Sequence, residues 1–292
     1  MNYAPPVIVA RRRLTTADHS ADIVGMTYVY PVISRRAGGL SVGVNLNPNN
    51  ACNWHCAYCQ VEGLVLGAGP RIDLDRLEHE LRAMLDAVLN GDFLERSAPE
   101  GARVLKDVAF AGNGEPTTSP DFGAAIERTG RVLADFGLLG KIPVVLITNG
   151  TQVKKADVAA GLERLAALGG EVWFKLDAAT AEGMRRINQA PGEPEAHLAK
   201  LRAAAALCPT WIQTCLVAWD GEPPSEAEQT AYLDAIRALV RDQVPLRGVL
   251  LYSVARASMQ PEAEHVGRLS EEWLRAFAAR IEDAGLPVRV TP

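Results

Sequence analysis

The sequence predicts an α/β protein built from parallel β/α units. Three observations predict it. Apolar, strand-like runs alternate with helical patterns along the chain. Apolar residues in the helical patterns recur at three- and four-residue steps. Polar and glycine-rich segments fall just after the strands, where such folds place their ligands. The strands read in order as "LSVGVNL" (40–46), "VLKDVAFAG" (104–112), "IPVVLITNG" (142–150), "EVWFKLDA" (171–178), "TWIQTCLVAW" (210–219), "RGVLLYSVA" (247–255) and "LPVRV" (286–290). A first helix is predicted over 72–90, with Asp73 as its cap and Leu74, Leu77, Leu81, Met84 and Val88 as its apolar stripe. Further helices are predicted near 121–137, 154–168, 194–207, 225–241 and 270–284. Six or seven strands are too few for a closed eight-fold barrel. A partial barrel or an open doubly wound sheet is left.

The chain has 292 residues, 48% hydrophobic and 22% charged, ample for one sizeable core. No run reaches the length of a membrane span, and the start does not read as a secretory signal. A cytoplasmic protein is expected, in which cysteines serve metal, catalysis or packing rather than disulfides. The net charge of −5 counts against a large phosphate-tracking surface. The densest basic stretches are Arg11–Arg13 and Arg35–Arg36.

Three of the five cysteines, Cys52, Cys56 and Cys59, stand in "CNWHCAYCQ" (52–60) after the first strand. A closed zinc site needs four ligands, and His55 lies awkwardly inside the first gap. Inert buried cysteines sit poorly in a loop with Asn53, His55 and Gln60. A [4Fe-4S] cluster normally takes four thiolates. Three would leave one iron open to a cofactor or substrate.

With Tyr58 before its third cysteine, the triplet resembles the signature of the radical S-adenosylmethionine (SAM) superfamily. "PVISRRAGGLSVGVNLNPNNACNWHCAYCQ" (31–60), "FAGNGEPTTSP" (110–120), "LITNG" (146–150) and "KLDAATAEGMRRIN" (175–188) stand in the order of one branch, the wyosine-synthase-related iron–sulfur oxidoreductases. The similarity runs from about residue 28 to the end and leaves residues 1–27 as an unassigned arm. It implies a partial (β/α)6 barrel, with Cys52, Cys56 and Cys59 on a [4Fe-4S] cluster whose unique iron chelates SAM. Reductive cleavage then gives methionine and a 5′-deoxyadenosyl radical that abstracts a substrate hydrogen. A low-potential flavodoxin- or ferredoxin-like protein is the implied electron donor.

The resemblance also implies cofactor-binding residues. Asn113, Gly114 and Glu115 match a Gly-Gly-Glu segment that binds the methionine ammonium, with Asn113 departing from glycine. A capped tight turn is the plainer reading of the same residues. Along "VWFKLDA", Lys175 and Asp177 share a strand face, ready to hold the SAM carboxylate or ribose, or to pair with each other. Gln213 falls near the implied ribose site. Arg256 suits a carboxylate. Asn149 is either a turn residue or a cavity donor. Cys208 and Cys215 read as small buried hydrophobes, with Cys215 the better functional candidate because it shares a face with Gln213. The catalytic candidates are therefore Cys215, Lys175 and Arg256.

The substrate reading favours a small molecule or peptide segment. A tRNA-modifying enzyme of wyosine-synthase type and a glycyl-radical-enzyme activase are the alternatives. Against tRNA stand the acidic charge, the lack of cysteines before Cys52 for a second cluster, and no recognisable RNA-binding extension. A non-enzymatic iron–sulfur or zinc scaffold would leave "GNGEP" and the polar strand ends idle.

Overall fold

The computed structural model describes residues 8, 10, 13–16 and 23–291. Eight strands form one sheet in chain order: β1 (Val29–Ser34), β2 (Gly39–Val44), β3 (Leu105–Phe110), β4 (Val144–Thr148), β5 (Glu171–Lys175), β6 (Thr210–Leu216), β7 (Leu246–Ser253) and β8 (Val288–Thr291). Strands β2 to β8 run parallel, and β1 pairs antiparallel with β2 at the edge. The sheet curls into the expected partial barrel. The seven predicted strands are all present. The strand β1 was not predicted from the sequence.

Helices α1 (Leu74–Leu89), α2 (Phe122–Asp135), α3 (Ala156–Ala167), α4 (Pro194–Leu207), α5 (Glu226–Arg241) and α6 (Glu271–Asp283) cover the outer face. Their ends follow from local chemistry. Asp73 accepts hydrogen bonds from the Asp75 and Arg76 amides at the start of α1, and Ser225 and Glu228 form a capping box on α5. Along each strand the side chains alternate. Val42, Val108, Leu146, Phe174, Ile212 and Leu251 belong to the main core shared with the helices. Ala109, Val145, Trp173, Trp211 and Leu250 form a separate cluster inside the barrel.

One buried acid anchors the edge strand. The Glu80 carboxylate on α1 accepts hydrogen bonds from the Thr27, Tyr28 and Val29 amides and from Arg76. Of the predicted arm, Ile8, Leu14 and Ile23 are buried, and the Leu14 amide donates to the Ser97 carbonyl at 2.9 Å. Arg13 is exposed, while Arg11 and Arg12 lie outside the described residues.

The N-terminal ends of the barrel strands are tied by Glu171, which accepts from the Trp173 and Trp211 indoles and from Arg247. Further inside, the Ser41 hydroxyl donates to Asp107. Burial pushes the Asp107 carboxyl from 3.8 up to about 6, against the Ser41 hydrogen bond and the nearby Arg36 charge. The folded chain therefore holds this proton more tightly than the unfolded one. That contribution is full below the unfolded value and is lost as pH rises through about 6, up to about 3 kcal/mol for two units. Urea unfolding of Asp107→Asn should accordingly lose this component of the pH dependence between about pH 4 and pH 7. An unaltered pH profile would show that Asp107 does not titrate in this range.

Candidate active site

The loops at the carboxyl ends of the strands open onto one cavity of about 320 Å³. Cys52, Cys56, Tyr58, Cys59, Asn113, Gly114, Glu115, Asn149, Lys175, Cys215 and Arg256 all line it. Residues spread over two hundred positions of sequence thus converge because parallel β/α units present all their C-terminal loops on one side. Asp177 and Gln213 sit one layer back, both buried.

Asparagines build the cysteine loop. Asn47 Nδ2 donates to the Ala51 carbonyl at 2.9 Å, and the Asn50 Oδ1 accepts from Asn113 Nδ2 at 2.7 Å. Asn45 Oδ1 accepts from the Asn47 and Asn113 amides. The loop after β2 is thereby locked to the loop after β3. Gly114 completes the junction: a Cβ there would stand 2.0 Å from the Ala51 carbonyl oxygen. On the other side, Ser258 and Gln260 donate to the carbonyls of Ala57, Cys59 and Val61, and the Met259 amide donates to Cys59.

The thiols lie in different surroundings. Burial pushes Cys52 up to about 11 and Cys56 up to about 12. The Trp54 amide faces the Cys52 sulfur at 3.5 Å, and Asn188 Nδ2 faces the Cys56 sulfur at 3.4 Å. Such N–H donors favour the thiolate, the form that binds metal. Among the described residues, no three His, Cys, Asp or Glu side chains gather round a single metal ion. The donor set, three thiols along one short loop with N–H groups aimed at two of them, fits a multi-iron cluster with one iron left to another ligand. Cys208 is remote from this set. It packs in the main core and faces the Gly170 carbonyl.

Glu115 is buried and heavily used. Its Oε1 accepts from the Thr117 amide and from the Thr117 and Thr148 hydroxyls, and its Oε2 accepts from the Asn149 amide at 2.7 Å. Burial raises its pKa, and those four donors oppose the rise. The turn-capping reading therefore describes real contacts, while Glu115 also lines the cavity. Asn149 is also chiefly a turn residue: its side chain bonds Asn53 and Thr151.

Asp177 organises the wall rather than lining it. Its Oδ1 accepts from the Cys215 amide at 2.7 Å. Its Oδ2 accepts from the Tyr58 hydroxyl at 2.5 Å and from Asn188 Nδ2 at 2.7 Å. Lys175 Nζ donates to the same Tyr58 hydroxyl at 2.9 Å, so the tyrosine links the two charges. Burial lowers the Lys175 pKa, but Tyr252, Cys56 and Asp177 around it more than reverse the shift and keep it cationic. Burial likewise raises Cys215 well above an ordinary thiol. Asn188, on a π-helical turn (Met184–Asn188), was not singled out from the sequence, and neither were Ser258 and Gln260.

Known proteins resemble this chain. The family model described as Radical SAM superfamily matches residues 46–233. The UPF0026 protein MJ1312 of Methanocaldococcus jannaschii is 28% identical over 159 residues, 54% of this chain and 43% of that protein. A protein named GTPase Obg from Brachyspira hyodysenteriae is 27% identical over 135 residues, 45% of this chain and 17% of its own length. The chain thus spans less than half the length of these curated relatives. A structure of TYW1 with a lysine-pyruvate adduct matches with a TM-score of 0.54 at 17% identity, covering 85% of this chain and 74% of that one. A radical SAM methyltransferase from Sphaerobacter thermophilus gives 0.56 at 16% identity, covering 86% and 66%. These structural likenesses bear on the fold. The family match spans the strands and loops that carry the cysteine triplet, Glu115, Lys175 and Gln213, and the chain belongs to the radical SAM superfamily.

Proposed function

We propose that this enzyme uses the cavity at the carboxyl ends of its strands to cleave SAM reductively and to direct the resulting radical at a compact substrate, a small molecule or a peptide segment. When bound, the [4Fe-4S] cluster and SAM supply that radical chemistry. In this reading Cys52, Cys56 and Cys59 hold the cluster. Glu115 and the Gly114 backbone receive the SAM ammonium. Lys175 and Arg256 face carboxylate groups, and Cys215 stands on the substrate side. Asp177 positions Tyr58 and Lys175. A low-potential flavodoxin- or ferredoxin-like protein supplies the electron.

One observation carries the proposal: the cysteine triplet, the Asn113–Glu115 segment and Lys175 all border one cavity. The test is anaerobic reconstitution with iron and sulfide, chemical reduction and addition of SAM. Methionine and 5′-deoxyadenosine should form. Intact SAM in a protein that holds about four irons would overturn the reading.

Glu115→Gln removes the carboxylate charge, and in either orientation its NH2 faces a backbone N–H, that of Asn149 or of Thr117, so thermal unfolding is measured beside SAM binding. Iron content should be retained, and SAM affinity should fall roughly ten- to a hundredfold, the worth of a charge-assisted bond of about 1.5–3 kcal/mol. Unchanged SAM affinity would leave Glu115 as a turn cap only.

One second reading is action on tRNA, the alternative that the resemblance to wyosine synthases carries, and the basic stretch at 11–13 favours it. Exposed Arg13 is the described remnant of the basic stretch that would serve it. Tight, steeply salt-dependent binding of unfractionated tRNA, lost when Arg11 to Arg13 become alanine, would put that reading first.

A further inference from the structure

Two buried polar groups inside the barrel have no use in the assignments above. Arg36 follows β1 and turns into the barrel. Its guanidinium lies over the Trp173 ring at 5.2 Å and over the Tyr252 ring at 4.8 Å. Those rings belong to β5 and β7, so the guanidinium spans the strand between them, β6. On β6 the register sets Gln213 beside Lys175 on one side and Leu250 on the other. Gln213 is 1% exposed, and neither its Oε1 nor its Nε2 has a hydrogen-bond partner. The Arg36 Nη1 is buried and equally without one.

Leaving such groups unsatisfied costs about 1–3 kcal/mol each. Gln213 has the strand partners of any core position, and a leucine there would avoid the cost. The geometry fits a ligand that arrives from the cavity, which Arg36 itself lines. The sign of that ligand follows from the walls. Arg35, Arg36, Lys175 and Arg256 line the cavity, and the carboxylate among its lining residues, Glu115, already receives four donors. Burial lowers the Arg35 pKa, and repulsion from Arg268 and Arg36 lowers it further, so positive charge is crowded here. The Arg36 guanidinium is confined between two aromatic neighbours, and its planar fork with the unpartnered Nη1 differs from a flexible point charge. A flat anion with two oxygens matches that fork better than a tetrahedral one.

We propose that the inner half of the cavity binds the carboxylate of a small organic acid, held by Arg36 with Lys175 beside it, while the unpartnered Gln213 amide lies in the layer behind them. The inference rests on the radical SAM reading of the same site, since it names the substrate class for that chemistry. It also gives Gln213 a role other than the ribose contact expected from the resemblance.

The test is calorimetric titration of the reconstituted, SAM-loaded enzyme with acetate, malonate and succinate, with acetamide and succinamide as uncharged controls and inorganic phosphate as the tetrahedral control. At least one carboxylate should bind one-to-one, about tenfold or more tighter than its amide and than phosphate. Gln213→Glu should weaken that carboxylate about tenfold or more through like-charge repulsion, and by more than it weakens SAM. No carboxylate binding, equal binding of the amides, or preference for phosphate would each overturn the inference. So would a Gln213→Glu protein that loses SAM affinity but keeps the carboxylate. The wild-type comparison needs no variant to fold. Enzyme that cleaves SAM yet binds no carboxylate refutes this inference alone, whereas enzyme that neither binds nor cleaves SAM refutes the functional reading beneath it.

Discussion

Replacing Cys56 with alanine is expected to abolish reductive SAM cleavage. Cys56 is the most enclosed of the three loop cysteines, and its sulfur meets Asn188 Nδ2 in the cavity wall. With two thiolates left, a cluster that takes about four irons loses its third protein ligand. Iron content after anaerobic reconstitution should fall sharply, and 5′-deoxyadenosine should disappear. The backbone should survive, since the loop is held by Asn47, Ser258 and Gln260 rather than by its sulfurs. Full cleavage activity in Cys56→Ala would remove the triplet from the chemistry.

The second large effect is expected at Asp177. Asp177→Ala removes the acceptor shared by Tyr58, Asn188 and the Cys215 amide. It also strands the Lys175 ammonium, whose link to the carboxylate runs through the Tyr58 hydroxyl. Removing one partner of a buried charged network costs about 3–5 kcal/mol, a large share of a typical domain stability of about 5–15 kcal/mol. Urea unfolding should shift by that amount. Asp177→Asn, which keeps the shape and one acceptor, should lose less. A loss in Asp177→Ala below about 1 kcal/mol would mean that the network is not holding the wall.

Much of this was legible in the sequence, and the exceptions have physical causes. The first helix was marked by a cap and an apolar stripe, Asp73 and Leu77–Leu81–Met84. Strands β2 to β8 were marked by apolar alternation. β1 was hidden by Pro31, which cannot donate to a ladder and is tolerated here because β1 is the sheet edge. The cysteine triplet and Glu115 announce themselves by spacing and order. Their supports do not. Asn188 and Gln260 reach the cysteine loop across more than a hundred residues, and nothing local reveals such contacts. Glu80 looks like one charge among several on a helix, yet it holds three backbone amides. Arg35 and Arg36 read only as a dense basic stretch, but Arg36 turns inward between two aromatic rings. Asp177 shares a face with Lys175 as expected, yet the intervening Tyr58 decides that it positions the wall.

In the proposed site SAM and the cluster meet in the cavity bordered by the triplet and Glu115. Electron paramagnetic resonance of the reduced cluster, recorded with and without SAM, tests it most directly. The spectrum of the wild-type enzyme should change when SAM is added, and Glu115→Gln should need more SAM for the same change. Identical spectra with and without SAM, in protein shown by dialysis to bind it, would place SAM away from the cluster and contradict the claim.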